Sequence, residues 1–108
     1  MDNIIITKSN NAQELAKYAK ALGHPTRIEI LNYLDKQSCC FTGDLVEVLP
    51  IAQSTISQHL KELKNAGLIK GEVNPPKIRY CIDQENWNKA KSFFCDFFDI
   101  DFNHHCEI

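Results

Sequence analysis

Apolar residues recur at helical spacing in four stretches of the first two thirds of the chain. Residues 10–22 and 25–36 each carry an apolar face, and a glycine at position 23 separates the two predicted helices. Pro25 suits the first turn of the second helix, where its missing N–H is not needed. A third helix is predicted over about 43–49 and ends at a proline, and a fourth over 53–66 ends at Asn-Ala-Gly.

The pattern changes to short alternating segments after the fourth helix. Residues 68–73 and 77–83 are typical of two strands, and Asn-Pro-Pro between them predicts a stiff turn that stands clear of the sheet. A last helix, with aromatic residues along one side, is predicted over 84–102. The fold class is therefore mainly α with a small β-hairpin, in the order α-α-α-α-β-β-α. That order indicates a winged helix-turn-helix with an extra helix at each end.

Length and composition indicate one ordinary globular domain over residues 1–108. The 108 residues are 44% hydrophobic and 24% charged. No apolar run approaches the roughly 20 residues that span a bilayer, and the N-terminus does not have the pattern of a signal peptide. We therefore expect a cytoplasmic protein. In a reducing cytosol its five cysteines are not expected to form a disulfide framework, which leaves metal binding, redox sensing or burial.

The formal net charge of −2 conceals an uneven distribution. Residues 51–82 hold five basic side chains against two acidic ones, whereas residues 83–108 hold two basic side chains against six acidic ones. An acidic total does not exclude DNA binding if the basic middle of the chain faces the phosphates.

The third and fourth predicted helices are joined by only Pro-Ile-Ala, which is typical of a helix-turn-helix whose second helix enters a major groove. With apolar residues inward, its outward face carries small polar side chains suited to base edges, and lysines beside them suited to phosphates. Two further basic residues lie on the hairpin. The alternative is that these side chains merely solvate a helix face. The DNA-binding candidates are Gln53, Ser54, Thr55, Ser57, Gln58, Lys61, Lys64, Lys77 and Arg79.

Two motifs in this order, ALGHPTRIEILNYL and AQSTISQHLKELKNAGLIKG, resemble the ArsR/SmtB family of small bacterial repressors over about residues 12–83. The resemblance implies homodimers that pair through their first and last helices, bind palindromic double-stranded operators and release them when an inducer binds. The family's base-reading positions correspond here to Gln53, Ser54, Ser57 and Gln58. A pure protein-binding winged helix is the alternative without DNA.

A dimer is also expected from the aromatic side of the last helix. The apolar face over residues 87–98 is wide for a terminal helix in so small a domain, and exposed patches of that kind usually mark interfaces. The alternative is that this face folds back onto the chain's own core.

The cysteines suggest a sensor, because thiolates select soft ions. The segment Ser-Cys-Cys-Phe is expected to form a short strand beside the second hairpin strand. We expect Phe41 to face inward, and Cys39 with it, because alternate residues of a strand point to the same face of the sheet. Cys40 would then lie beside an outward-facing Cys81. Cys39 would join them if the strand frayed. Three thiolates suit trivalent arsenic or antimony as inducer, and no obligatory cofactor is expected.

The family resemblance also implies inducer ligands in this region, but the chain departs from both familiar arrangements. It lacks the Cys-x-Cys at the start of the third helix and the Asp and His set on the last helix. A metalloid is the leading hypothesis. The alternative is a redox or sulfide-responsive repressor in which Cys40 forms a disulfide with Cys81 or Cys106.

Other candidate residues have simpler interpretations. Cys95 lies among phenylalanines and is expected to be buried. The terminal His104, His105 and Cys106 either add ligands or form a frayed tail, which we favour. His24 is interpreted as a helix-start residue and His59 as a packing residue. No cysteine has a histidine-and-acid arrangement and no phosphate-binding glycine loop is present, so no enzyme is predicted.

Overall fold

The structure, a computed structural model, describes residues 2–99, with side chains from residue 11 onward except at position 74. Over these residues the chain forms five helices and three strands, and their order confirms the winged helix-turn-helix. The short strand expected beside the hairpin is also present. The elements are α1 (Asp2–Ala21), α2 (Pro25–Gln37), β1 (Cys39–Phe41), α3 (Thr42–Val48), α4 (Gln53–Asn65), β2 (Ile69–Asn74), β3 (Lys77–Ile82) and α5 (Gln84–Phe98).

The start of α2 is fixed by local hydrogen bonding. His24 lies at the N-cap with extended backbone, and its Nδ1 accepts from the Thr26 N–H at 3.1 Å, while Pro25 occupies the first turn. The interpretation of His24 as a helix-start residue is thus confirmed. At the other end, Ser38 has φ 69° and donates its backbone N–H to the Leu34 carbonyl at 2.7 Å. That turn delivers the chain directly into β1.

The sheet is antiparallel with strand order β1-β3-β2. β2 and β3 form the predicted hairpin, with Asn74 opposite Lys77 and Ile69 opposite Ile82. β1 adds to the outer edge of β3, with Cys40 opposite Tyr80. Strand β1 runs straight into α3, so the sheet and the helix-turn-helix share a continuous backbone.

The core lies where α2, α3 and α4 meet the base of the hairpin. Its largest side chains are fully buried and come from six different elements or the segments between them. α5 returns to cover this core with Ala90, and its Phe93 ring lies 6.4 Å from the ring of Tyr18 on α1. The fully buried large side chains are Tyr18, Ile30, Leu34, Leu45, Ile56, Leu60, Leu63, Leu68 and Ile69.

The end of α4 needs a glycine. Gly67 has φ +89°, a conformation that side chains with a Cβ rarely adopt, and its N–H bonds to the Lys64 carbonyl at 2.9 Å. Its own carbonyl accepts from Nδ2 of Asn86 on α5 at 3.0 Å. The predicted stop at Asn-Ala-Gly is therefore confirmed. The last helix was predicted to end at residue 102, but α5 ends at Phe98, with Asp99 as its C-cap. Residues 104–106 lie outside the described residues. Within the described range, no helix combines the length and apolarity needed to cross a bilayer.

Candidate DNA-binding face and cysteine pair

Helix α4 separates its apolar and polar side chains sharply. Ile56, Leu60 and Leu63 have no exposed surface and hold the helix against the core. All seven polar candidates that the sequence assigned to α4 are exposed, as are the two on the hairpin. On the outward face, Gln58 Nε2 donates to Glu62 Oε1 at 3.1 Å, so that glutamine is already oriented along the helix.

The joint between α3 and α4 is short and hydrogen-bonded. α3 ends at Val48, the Ile51 N–H donates to the Leu49 carbonyl at 2.8 Å, and the Ala52 carbonyl accepts the first bond of α4. Four residues, 49–52, therefore separate the two helices. This is the spacing of a helix-turn-helix, and it leaves the N-terminal half of α4 exposed.

The hairpin cations are both engaged within the protein. Arg79 Nη2 lies 2.6 Å from the Glu72 carboxylate on the neighbouring strand, and this hydrogen bond lowers the pKa of Glu72. Lys77 Nζ lies 5.3 Å from the centre of the Phe41 ring. Both basic side chains remain exposed. A phosphate that approaches Arg79 would compete with Glu72 for the guanidinium.

The expected cysteine arrangement is wrong by one residue. Cys39, not Cys40, lies opposite Cys81 in the sheet, and the two are joined by a disulfide with their Cα atoms 4.2 Å apart. The sequence predicted no framework of disulfides, and the structure contains this bond between Cys39 and Cys81. Cys40 lies opposite Tyr80 on the other face of the sheet and is buried in the core.

The physical reason is that a different side chain of β1 points into the core. The prediction placed Phe41 in the core, but Phe41 is only half-buried, under Lys77, and begins α3 by donating its N–H to Asp44 Oδ2 at 2.9 Å. The smaller Cys40 fills the interior position instead. Because alternate residues face opposite sides, Cys39 then shares a face with Arg79 and Cys81.

The two faces give the cysteines different chemistry. Burial raises the pKa of the Cys40 thiol to about 11, and the Asp44 carboxylate adds to this effect, so Cys40 stays protonated. Cys81, predicted to face outward, is also buried, and Cys39 is half-buried. Both border a cavity of about 350 Å³ between the end of α2, the sheet and the start of α5. Polar and apolar groups line it together, namely Leu34, Asp35, Ser38, Lys70, Glu72, Ile82, Gln84 and Trp87.

Among the residues with described positions, no three His, Cys, Asp or Glu side chains are grouped closely enough to hold a metal. The ligand set of Cys39, Cys40 and Cys81 stays a prediction, and Cys40 would have to leave the core to join it. The predicted burial of Cys95 is wrong, since this thiol is exposed on α5. Cys106, a further possible ligand, lies outside the described residues.

An apolar surface remains uncovered between α1 and α5. Ten residues line a groove of about 870 Å³, namely Asn11, Ala12, Leu15, Ala16, Ala19, Phe93, Phe94, Asp96, Phe97 and Phe98. Phe97 and Phe98 are 50% and 75% exposed. Within the described residues, Phe93 and Phe94 pack against the chain's own core, whereas Phe97 and Phe98 stay outside it.

Two features of the site escaped the sequence analysis. The Glu72–Arg79 pair follows from the register of the hairpin strands. Counting residues outward along both strands from the two-residue proline turn would have placed Glu72 opposite Arg79. The cluster of exposed His24, half-buried Arg27 and buried His59 includes a hydrogen bond between residues 32 positions apart, and no periodic pattern indicates it.

These features define a winged helix-turn-helix protein with an exposed polar helix, a class that binds DNA. A family model described as "Bacterial regulatory protein, arsR family" matches residues 24–70. The chain is 32% identical over 89 residues to the HTH-type transcriptional regulator YgaV of Escherichia coli K12, covering 79% of this chain and 90% of YgaV. The chain therefore belongs to the arsR family of bacterial regulatory proteins.

Two further comparisons agree with this assignment. A cadmium resistance transcriptional regulatory protein CadC homolog of Staphylococcus aureus is 30% identical over 76 residues, which are 70% of this chain and 63% of the homolog. The structure of an ArsR-like transcriptional regulator from Rhodococcus sp. RHA1 superimposes with a TM-score of 0.71 at 28% identity, covering 82% of each chain.

Proposed function

We propose that the protein is a cytoplasmic transcriptional repressor that binds operator DNA through α4 and releases it when Cys39 and Cys81 react. The observation that carries the proposal is the division of α4, with Ile56, Leu60 and Leu63 fully buried and the polar candidate residues exposed. A helix held this firmly from behind presents a rigid row of side chains to a major groove.

Base reading is assigned to the N-terminal half of α4. Gln53 and Gln58 are long enough for bidentate contacts with adenine, and Ser54, Thr55 and Ser57 fit either donors or acceptors. Lys61 and Lys64 follow on the same exposed side and meet phosphates. Lys77 and Arg79 extend the phosphate contacts from the hairpin, provided that the phosphate displaces Glu72 from Arg79.

A second copy of the chain is proposed to cover the apolar groove between α1 and α5. Phe97 and Phe98 expose aromatic surface to water there, and association of two such surfaces buries it. A two-fold dimer then presents two α4 helices about one DNA turn apart, which matches a palindromic operator.

The switch is proposed to be the Cys39–Cys81 pair. In the reduced state the two thiols lie side by side across the strands, and the adjacent cavity gives a small ion access to them. Two thiolates suit a thiophilic ion, of which trivalent arsenic or antimony is the leading candidate. Because β1 continues directly into α3, movement of Cys39 shifts the helix-turn-helix. The two α4 helices of the dimer then no longer match the two halves of the operator, and DNA binding weakens.

The disulfide favours a second candidate, in which oxidation itself is the signal. Two thiols lose two protons and two electrons as the S–S bond forms, and a peroxide or a small disulfide takes up both electrons. This candidate keeps the DNA-binding function and differs only in the inducer. Cys39 replaces Cys40 as the partner of Cys81 in it.

Operator release separates the two candidates. Labelled DNA from upstream of the protein's own gene would be bound in excess phosphine reductant and titrated with arsenite, antimonite, cadmium and zinc. Trp87, the single tryptophan, lines the same cavity as both cysteines, so its fluorescence reports events at the pair independently of DNA. Cys39→Ser is the test variant, and Cys95→Ser, which alters an exposed cysteine on α5, is the matched control.

Release by arsenite or antimonite that is lost only in Cys39→Ser supports the metalloid sensor. Release by peroxide that reductant reverses, with no response to ions, supports the redox sensor. Tight binding that neither treatment changes would refute a switch at these cysteines and leave DNA binding intact.

A further inference from the structure

His59 occupies an unexpected position on α4. Its neighbours Ser57 and Gln58 are exposed on the proposed DNA-binding face, whereas His59 points inward and is 8% exposed. It is the one buried ionisable side chain of the helix within the described residues. Any event at its ring therefore acts on the back of the surface that carries the base-reading candidates.

All the polar contacts of His59 lead to the start of α2. Arg27 Nε donates to His59 Nδ1 at 3.1 Å, and the His24 ring lies 4.3 Å from the His59 ring, centre to centre. Arg27 also donates from Nη1 to the Ala21 carbonyl at 3.4 Å, at the end of α1. This His24–Arg27–His59 cluster thus connects α1, α2 and α4.

The hydrogen bond from Arg27 fixes the protonation state of His59. Arginine is always charged and has only donors, so an imidazole nitrogen that accepts from it must carry no proton. Protonated imidazole has N–H at both nitrogens and would place a second cation against the guanidinium.

The surrounding charges oppose protonation of His59. Burial, His24 and Arg27 lower its pKa below 6.5, in that order, and only Glu62 on the same helix opposes them. Neutral His59 therefore keeps the Arg27 contact at neutral pH. When the pH falls below about 6.5, proton uptake breaks this contact and repels α4 from the start of α2.

We propose that the His24–Arg27–His59 cluster makes operator binding proton-linked: α4 keeps its DNA-binding position while His59 is neutral and accepts from Arg27, and protonation of His59 weakens operator affinity. This inference rests on the proposed role of α4 in DNA binding. The predicted direction of the pH effect distinguishes it from a general charge effect. Acidification makes the protein more positive, which by itself would strengthen binding to DNA.

Operator affinity would be measured by fluorescence anisotropy from about pH 7.5 to about pH 5.5 at constant ionic strength. Linkage limits the effect to about tenfold per pH unit per proton, and so to about a hundredfold per pH unit for a dimer. We expect the wild type to lose affinity by several-fold at the acid end of this range, within that limit. His59→Gln keeps an acceptor for Arg27 but does not titrate, and we expect wild-type affinity at pH 7.5 with no loss on acidification.

Matched controls address the other histidines. His24→Asn keeps an acceptor at the N-cap, and a variant with His104→Gln and His105→Gln removes the terminal histidines. Both are expected to retain the acid-induced loss. A flat wild-type profile, or a loss that persists in His59→Gln, would overturn the inference while leaving DNA binding established. Absence of operator binding at pH 7.5 would overturn the proposed function and this inference together.

A second measurement does not depend on the folding of a variant. Proton NMR titration of the wild type follows the His59 ring with and without operator DNA. Linkage requires the His59 pKa to be lower in the complex than in the free protein. An equal or higher pKa in the complex would refute the proposal.

Discussion

Helix α4 and strand β1 differ in how firmly their neighbours determine which side chains face inward. α4 buries Ile56, Leu60 and Leu63 completely, so rotation about its axis would expose several large apolar groups at once. β1 is three residues long, and a shift of one residue exchanges its two faces. Several buried side chains together fix the orientation of a helix, whereas in a short strand a single side chain decides which face is buried.

The same contrast separates the two halves of the proposed function. The exposed polar face of α4 follows from the buried stripe behind it. The reactive pair on β1 and β3 follows from the burial of Cys40, which brings Cys39 opposite Cys81. The proposed DNA-binding face should therefore tolerate small changes in the core, while the proposed sensor depends on the register of one short strand.

The largest effect is expected from the stripe behind α4. Leu60→Ala leaves a cavity among fully buried side chains and should reduce the free energy of unfolding by about 2–5 kcal/mol. Ser57→Ala, on the exposed side of the same helix, should change it by less than about 0.5 kcal/mol. Urea denaturation of both variants checks this. Similar losses in the two variants would contradict the assigned orientation of α4.

Replacement of the two adjacent cysteines should give different redox behaviour. Cys39→Ser removes a disulfide that closes a separation of 42 residues and should reduce stability by roughly 2–4 kcal/mol under oxidising conditions, with little effect under reducing ones. Cys40→Ser buries a hydroxyl in the core and should cost about 1–3 kcal/mol under both conditions. Denaturation with and without reductant checks this contrast. A redox-dependent loss in Cys40→Ser would favour the arrangement first predicted from the sequence.

The elements could be predicted from the sequence because each helix carries several apolar residues in phase. The predicted starts of α2, α4 and α5 agree with the structure, and Pro25 and the Asn-Ala-Gly stop account for two of the boundaries. The exposed polar face of α4 followed from the same periodicity. Local sequence patterns were sufficient to place an element wherever several of its residues followed the same pattern.

The cysteine arrangement could not be predicted because two apolar candidates, Cys40 and Phe41, competed for one interior position. Residue size favoured Phe41, but its place at the start of α3 and its contact with Lys77 left it half-buried. The Arg27–His59 hydrogen bond is a tertiary contact between helices, and spacing along the chain carries no information about it.

A single base-reading residue should affect DNA binding without affecting stability. Gln58→Ala removes an exposed side chain that donates a hydrogen bond to Glu62. The free energy of operator binding should become less favourable by about 1–3 kcal/mol. Gln84→Ala, which removes a similarly exposed glutamine from α5, is the matched control and should bind as the wild type. Anisotropy and thermal denaturation together check this. Unchanged affinity in Gln58→Ala would remove this residue from the proposed contacts.

The smallest effect is expected at the hairpin, where Glu72 and DNA compete for Arg79. Glu72→Gln releases the guanidinium from its 2.6 Å ion pair and removes a negative charge from the DNA-facing region. Because exposed ion pairs contribute little in water, operator affinity should rise by no more than about fivefold for each subunit. Arg79 lowers the pKa of Glu72, so the carboxylate stays charged at neutral pH and the competition operates there.

The gain in Glu72→Gln should shrink as salt rises from about 50 mM to about 200 mM, since both the ion pair and the phosphate contact are screened. Glu85→Gln, an exposed acidic residue in the first turn of α5, is the matched control for net charge. Equal gains in both variants would indicate a general charge effect. A loss of affinity in Glu72→Gln would instead mean that Glu72 holds Arg79 in the position that DNA requires, so that the pair is part of the binding surface.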